Sequence, residues 1–248
     1  MADKIEQSIK GNNNSQQSLI IQADNNYIGL KTEDVVSIIK AFCYPDKEQI
    51  VSIVKETIES INKEQRKMPD KRIFVPLIQQ LSYSVDDDYI KHSYQNLLKS
   101  SMDISKTVHP SFVSIISQLN SDEIKILHNL PAVSVLSKPL INVRMIVGQK
   151  QGTGITLIRN FSDIGYGICD YPGNICAYIE NLERLKLIEI PPLLTLLNKD
   201  TYTKLKQHPA VLQVLKNNEH LPEVKFEYDE KFFQLTQFGI QFIQACSK

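Results

Sequence analysis

From Thr32 to Leu130 apolar residues recur every three to four positions, the spacing of one buried helical face. Val35, Ile38, Ile39 and Phe42 make the first stripe, with Thr32 as N-cap and Glu33 and Asp34 in the first turn. Pro45 can open a second helix, whose apolar positions Ile50, Ile53, Val54, Ile58 and Ile61 run to a basic break at 63–69. Residues 73–81 and 84–102 predict two further helices. Phe112, Ile115, Ile116 and Leu119 form another stripe. Asn120, with Glu123 three residues on, then has the form of a capping box before Ile124 and Leu127.

The period changes at residue 138. Ile141, Val143, Met145 and Val147 alternate, a glycine-containing turn follows at 148–154, and Ile155 to Ile158 return, which predicts a hairpin. Residues 174–187 revert to helical spacing, with Ile175, Ile179 and Leu182 inward, and lead into a short strand at 187–190. Val224–Tyr228 and Phe232–Leu235 alternate as strands, and Thr236 caps a last helix through Phe238, Phe242 and Ile243. Helix, strand, returning strand and closing helix follow the plan of a winged helix, with 192–222 as a helical insertion in the wing. The expected fold is therefore α+β and mainly helical. An N-terminal helical bundle, 31–105, precedes a winged-helix-like module, 106–248, with an inserted β-hairpin.

Residues 1–30 stand apart. Ile5, Gln7 and Ile9 alternate, Gly11 to Ser15 is turn chemistry, and Ser18 to Ala23 is a second extended run. An isolated two-stranded hairpin is marginal in water. Three readings follow: a hairpin that oligomerises through Ile5, Ile9, Leu19 and Ile21, a disordered tail, or an Asn/Gln-rich amyloid-type segment.

Composition narrows the function classes. The 248 residues carry 28 basic and 28 acidic side chains, so the total charge favours neither nucleic acid nor a lipid surface as partner. No apolar run reaches the ~20 residues of a bilayer span, and the N-terminus lacks a signal-peptide plan. A cytoplasmic protein without a membrane partner is expected. Cys43, Cys169, Cys176 and Cys246 lack metal-site spacing and are expected as buried free thiols.

The ordered blocks Asn96–Asp103, Val108–Ile124, Tyr27–Asp34, Asn181–Ile188 and Leu235–Gly239 resemble those of the Abi-alpha family, bacterial proteins named for abortive infection. The resemblance implies a role in defence against phage. It brings no catalytic residues with it.

Candidate chemistry is sparse. Asp86, Asp87 and Asp88 precede a helix, where carboxylates satisfy free amides; consecutive helical positions diverge and do not converge on one ion. The glycines at 148–154 lack the Gly-Lys-Ser/Thr of a phosphate loop. His109, before Pro110, is expected to cap or pack. On the helix at 174–187, Glu180 and Glu183 offset Arg184 and Lys186, which would be the phosphate contacts of a DNA-binding version of the module. No catalytic residue, metal site or cofactor is expected. The sequence thus points to a non-enzymatic defence protein that contacts a host or phage protein and forms a homo-oligomer through its N-terminal segment. A winged-helix nucleic-acid binder is the alternative, and a cryptic hydrolase or nuclease the third reading.

Overall fold

The computed structural model describes residues 47–132, 137–147, 154–220 and 223–247. The N-terminal helix expected from Thr32 and the oligomerisation residues Ile5, Ile9, Leu19 and Ile21 lie outside the described residues, as does Cys43.

Helices α1 (Lys47–Glu59), α2 (Lys71–Ser82), α3 (Asp88–Ser101), α4 (Ser111–Ile116) and α5 (Ser121–His128) form the first half of the described fold. α3 is its axis. Tyr94, Leu97 and Leu98 are fully buried along it, and the Tyr94 hydroxyl donates to the carbonyl of Val113 at the back of α4 (3.4 Å). The helix expected from Ser84 starts four residues later. Asp87 sets the start, because its Oδ1 accepts from the amides of Tyr89 and Ile90, both at 3.1 Å. The stripe at Phe112, Ile115, Ile116 and Leu119 is buried throughout.

Strands β1 (Lys138–Val147) and β2 (Gly154–Phe161) make the expected hairpin. A short 3-10 turn at Pro172–Asn174 opens helix α6 (Ile175–Arg184), and strand β3 (Ile188–Glu189) follows. Helices α7 (Asp200–Lys206) and α8 (Pro209–Asn218) fill the insertion before strand β4 (Val224–Leu235) and helix α9 (Gln237–Cys246). The described strands form an antiparallel sheet in the order β2-β1-β4-β3.

β4 is one strand, where the alternation read as two. Its charged middle stays in the ladder because β1 pairs with it along its whole length, from Val147–Val224 to Lys138–Phe233. The charges there are also satisfied. Glu230 takes ion pairs from Lys199 (2.7 Å) and Lys206 (2.8 Å), and the Lys231 ammonium donates to Asn160 Oδ1 (2.6 Å).

The buried side chains run from Ile50 through the sheet to Cys246 as one continuous core. α9 closes it against α3, where Asn96 Nδ2 and Ser100 Oγ donate to the carbonyls of Cys246 (3.2 Å) and Ala245 (3.0 Å). Two side chains thereby satisfy carbonyls at the C-terminal end of α9 that have no partner within the helix. Fold class is thus mixed α and β with helices predominating, as the periodicity indicates.

Candidate functional site: a carboxylate-centred joint

The densest buried polar cluster of the described residues lies where α5, the turn at 169–174 and α6 meet. Local chemistry builds its first part. Asn120 Oδ1 accepts from the Glu123 amide (2.9 Å) and Glu123 Oε2 accepts from the Asn120 amide (2.8 Å), so the capping box is complete. The box fixes the first turn of α5 and so aims Asp122 across to the 169–174 turn.

Asp122 is 4% exposed. Its Oδ1 accepts from the Asp170 amide (2.8 Å) and the Lys125 ammonium (3.2 Å), and its Oδ2 from the Tyr171 amide (2.8 Å) and the Tyr178 hydroxyl (3.0 Å). Burial pushes its pKa up, but the donors outweigh burial and hold it below the ordinary carboxylate value. Lys125 also pairs with Asp170 (2.7 Å) and lies over the ring of Tyr89, 5.0 Å from its centroid. That pairing, chiefly with Asp170, raises the lysine pKa. Beside it, Glu123 is pushed upward by burial, against the pull of the Asn120 amide and of Asn181. Asn181 Nδ2 donates to Glu123 Oε1 (2.8 Å) and to the carbonyl of Gln118 (3.0 Å). Ser121 Oγ donates to Asp87 Oδ2, which ties the start of α5 to the cap of α3.

This geometry defines the chemistry available. A carboxylate has about four lone-pair positions, and all four on Asp122 are occupied. It is ionised, fully satisfied and enclosed, which suits a joint and leaves no acceptor for a proton or an ion. No group of three or more His, Cys, Asp or Glu among the described residues could hold a metal.

Asp87 caps α3, as expected for that acidic run, and Asp88 pairs with Lys91. His109 both caps and packs: its Nδ1 accepts from the Ser111 amide (3.2 Å), and its ring stands edge-on to Phe238 with centroids 5.5 Å apart. The described cysteines are free, but only Cys246 is buried; Cys169 and Cys176 are half-buried at the turn and on α6. Burial raises both of those thiols, Cys169 to about 11.

Arg184 is exposed, yet its guanidinium is engaged by Asn181 Oδ1 (2.7 Å) and Gln118 Oε1 (3.1 Å), which fasten α6 to the end of α4. Lys186 has φ 59° and ends α6. Its amide bonds to the carbonyl of Glu183 (2.9 Å) and the Leu187 amide to that of Leu182 (3.0 Å), the two bonds of a Schellman turn.

A cleft of about 250 Å³ lies between the C-terminal ends of α3 and α9 and the loop at 106–108. The buried polar side chain in its wall, Ser100, is already committed to Ala245.

Later blocks on which the family resemblance rests therefore meet in space, while Tyr27–Asp34 lies outside the described residues. Asn181 to Ile188 and Leu235 to Gly239 join at the end of α6, and Val108 to Ile124 carries the capping box and Asp122. The model of the abortive infection alpha family matches residues 46–246. The chain belongs to this family. No curated protein and no solved structure matches it.

In this abortive infection alpha chain the cap partners are legible in the sequence and the joint is not. Asp122 sits inside Ser-Asp-Glu, where it reads as one more first-turn acid. Its partners Asp170, Tyr171 and Tyr178 lie about fifty residues away, and no periodicity marks them. No described helix is long and apolar enough to cross a membrane.

Proposed function

We propose that this protein is an anti-phage defence protein that works through contacts with another protein, without catalysis. The observation that carries this reading is the abortive infection alpha match over 46–246. The interaction mode draws support from the joint, where a buried carboxylate with every acceptor position filled is spent on holding three segments together. In the same proposal the chain forms a homo-oligomer through Ile5, Ile9, Leu19 and Ile21. Plaque assays across a broad phage panel, in cells with and without the gene, test the defence role. Fewer or smaller plaques for some phages are expected, and equal plating throughout overturns it. Deleting residues 1–30 should lower the mass measured by light scattering; an unchanged mass removes the oligomer.

One observation favours a second reading. α6, β3, β4 and α9 follow each other with β3 antiparallel to β4, the order of a winged helix, and α7 with α8 would occupy the wing. As a nucleic-acid binder the module would use Arg184 and Lys186. Against this stand Glu180 and Glu183 on the same helix and the engagement of Arg184 by Gln118. A DNA mobility shift at low salt that disappears at high salt would support binding, and the absence of any shift would dismiss it.

A further inference from the structure

Two helices of the fold begin with the same dipeptide and the same bond. At His109-Pro110-Ser111 the His109 Nδ1 accepts from the Ser111 amide, and at His208-Pro209-Ala210 the His208 Nδ1 accepts from the Ala210 amide, each at 3.2 Å. The proline has no N–H to satisfy, so the imidazole reaches the next amide along. Each histidine carbonyl then accepts from the residue three positions on, Phe112 (3.1 Å) and Val211 (2.9 Å). The oxygen caps on Asn120 and Thr236 do not titrate. An imidazole caps only while its Nδ1 is unprotonated, and histidine is the side chain that ordinarily changes charge between about pH 5 and pH 8.

The two helices differ in what else holds them. α4 buries Phe112, Val113, Ile115 and Ile116. In α8 the buried side chain is Val211, with Ala210 and Leu215 partly covered, so its docking leans on its first turn. There the His208 ring lies 4.3 Å, centroid to centroid, from Tyr166 in the turn after β2 and 5.1 Å from Phe161 at the end of β2. The titratable groups on that side stay neutral where an imidazole titrates. Burial raises the Tyr166 hydroxyl, and it raises the thiol of Cys176 on α6, within electrostatic reach of Tyr166. Lys206, two residues before His208, is paired with Glu230 (2.8 Å). Among the described residues no carboxylate forms an ion pair with His208. Protonation therefore gains no carboxylate partner. It turns Nδ1 from acceptor to donor against the Ala210 amide and sets a positive charge at the positive end of the helix. We propose that His208 is a pH-sensitive latch: α8 is docked at neutral pH and released as the imidazole protonates, while α4, with the same cap, stays in place. Release follows falling pH, because the docked state binds one proton fewer. The latch is independent of the defence reading.

Amide hydrogen exchange of the full chain at about pH 7.5 and about pH 5.5 tests it, with rates corrected for the intrinsic pH dependence of exchange. Protection over 210–218 should fall roughly fivefold or more at the lower pH, the size of a lost cap, while protection over 111–117 holds. His208→Asn, whose cap does not titrate, should remove the pH dependence whatever it does to the protection itself. Nitrogen-15 shifts of the His208 ring at neutral pH should report the Nε2–H tautomer. Unchanged protection of the native α8 would show the Phe161 and Tyr166 rings holding the imidazolium in place, and overturn the proposal. So would the native pH dependence persisting in His208→Asn, or an Nδ1–H tautomer at neutral pH. An equal loss over α4 would mean a global response, and overturn it as well.

Discussion

Gly239 in the first turn of α9 faces the carbonyl of Leu187 so closely that a methyl group added to it would lie 1.9 Å from that oxygen. The approach is held from both sides. Thr236 Oγ1 accepts from the Gly239 amide (2.8 Å) and donates to the carbonyl of Lys186 (2.6 Å), while the Thr236 amide donates to Leu187 (3.1 Å). The two later blocks of the family resemblance are thus the two halves of one contact.

Gly239→Ala should therefore be among the most damaging small substitutions in the chain. The obstructing atoms are backbone, so relief requires moving α9 away from the turn. A loss of about 3 kcal/mol or more is expected in urea unfolding, at the upper end for overpacking. Thr236→Val, which removes the cap and the hydroxyl's bond to the Lys186 carbonyl, should cost less, about 1–2 kcal/mol.

At Lys186 the left-handed conformation gives the opposite forecast. Lys186→Gly removes a steric penalty of roughly 1–2 kcal/mol and adds chain entropy to the unfolded state, so stability should stay level or rise slightly. Lys186→Val should lower it by more than about 1 kcal/mol, since a branched Cβ suits that conformation worst. Thermal midpoints of the two variants decide the matter, and a Gly variant clearly less stable than the native chain would contradict the Schellman reading.

Asp122→Ala would leave Tyr178 and the amides of Asp170 and Tyr171 without this acceptor, and Lys125 with Asp170 alone. A loss on the order of 3 kcal/mol is expected, against about 1 kcal/mol for Tyr178→Phe, which deletes one donor. Comparable midpoints for the two variants would remove Asp122 from the centre of the joint.

The joint also has a pH signature. Asp122 has a folded pKa below its unfolded value of 3.8, so its stabilisation is fully present above that value and is lost as pH falls through the folded pKa. Glu123, whose folded pKa is raised above 4.5, works the other way. It opposes folding when ionised, and this penalty fades as pH drops through its folded pKa. Denaturation from pH 7 to pH 3 should show Asp122→Asn flattening the loss below about pH 4 and Glu123→Gln flattening the gain above it.

Helix caps and stripes are legible in the sequence because both are local. Asn120 and Glu123 are three residues apart, and Phe112 to Leu119 span two turns. The alternation of β1 and β2 is legible for the same reason. The uninterrupted course of β4 is not, because its charged middle is stabilised by Lys199, Lys206 and Asn160, from the insertion and from β2. The half-burial of Cys169 and Cys176 likewise depends on a turn whose position is set by Asp122.

The sequence by itself determined where most helices and strands form, how several of them are capped, and the family to which the chain belongs. Those properties depend on neighbours within a few residues and on the order of the blocks. Only the tertiary structure decided that Asp122 is the centre of a joint, that Arg184 fastens α6 to α4, and that His208 lies against Phe161 and Tyr166. Each of these depends on which distant segments come to lie beside a residue. Spacing along the chain does not encode which donors reach a carboxylate, or which rings pack against a histidine.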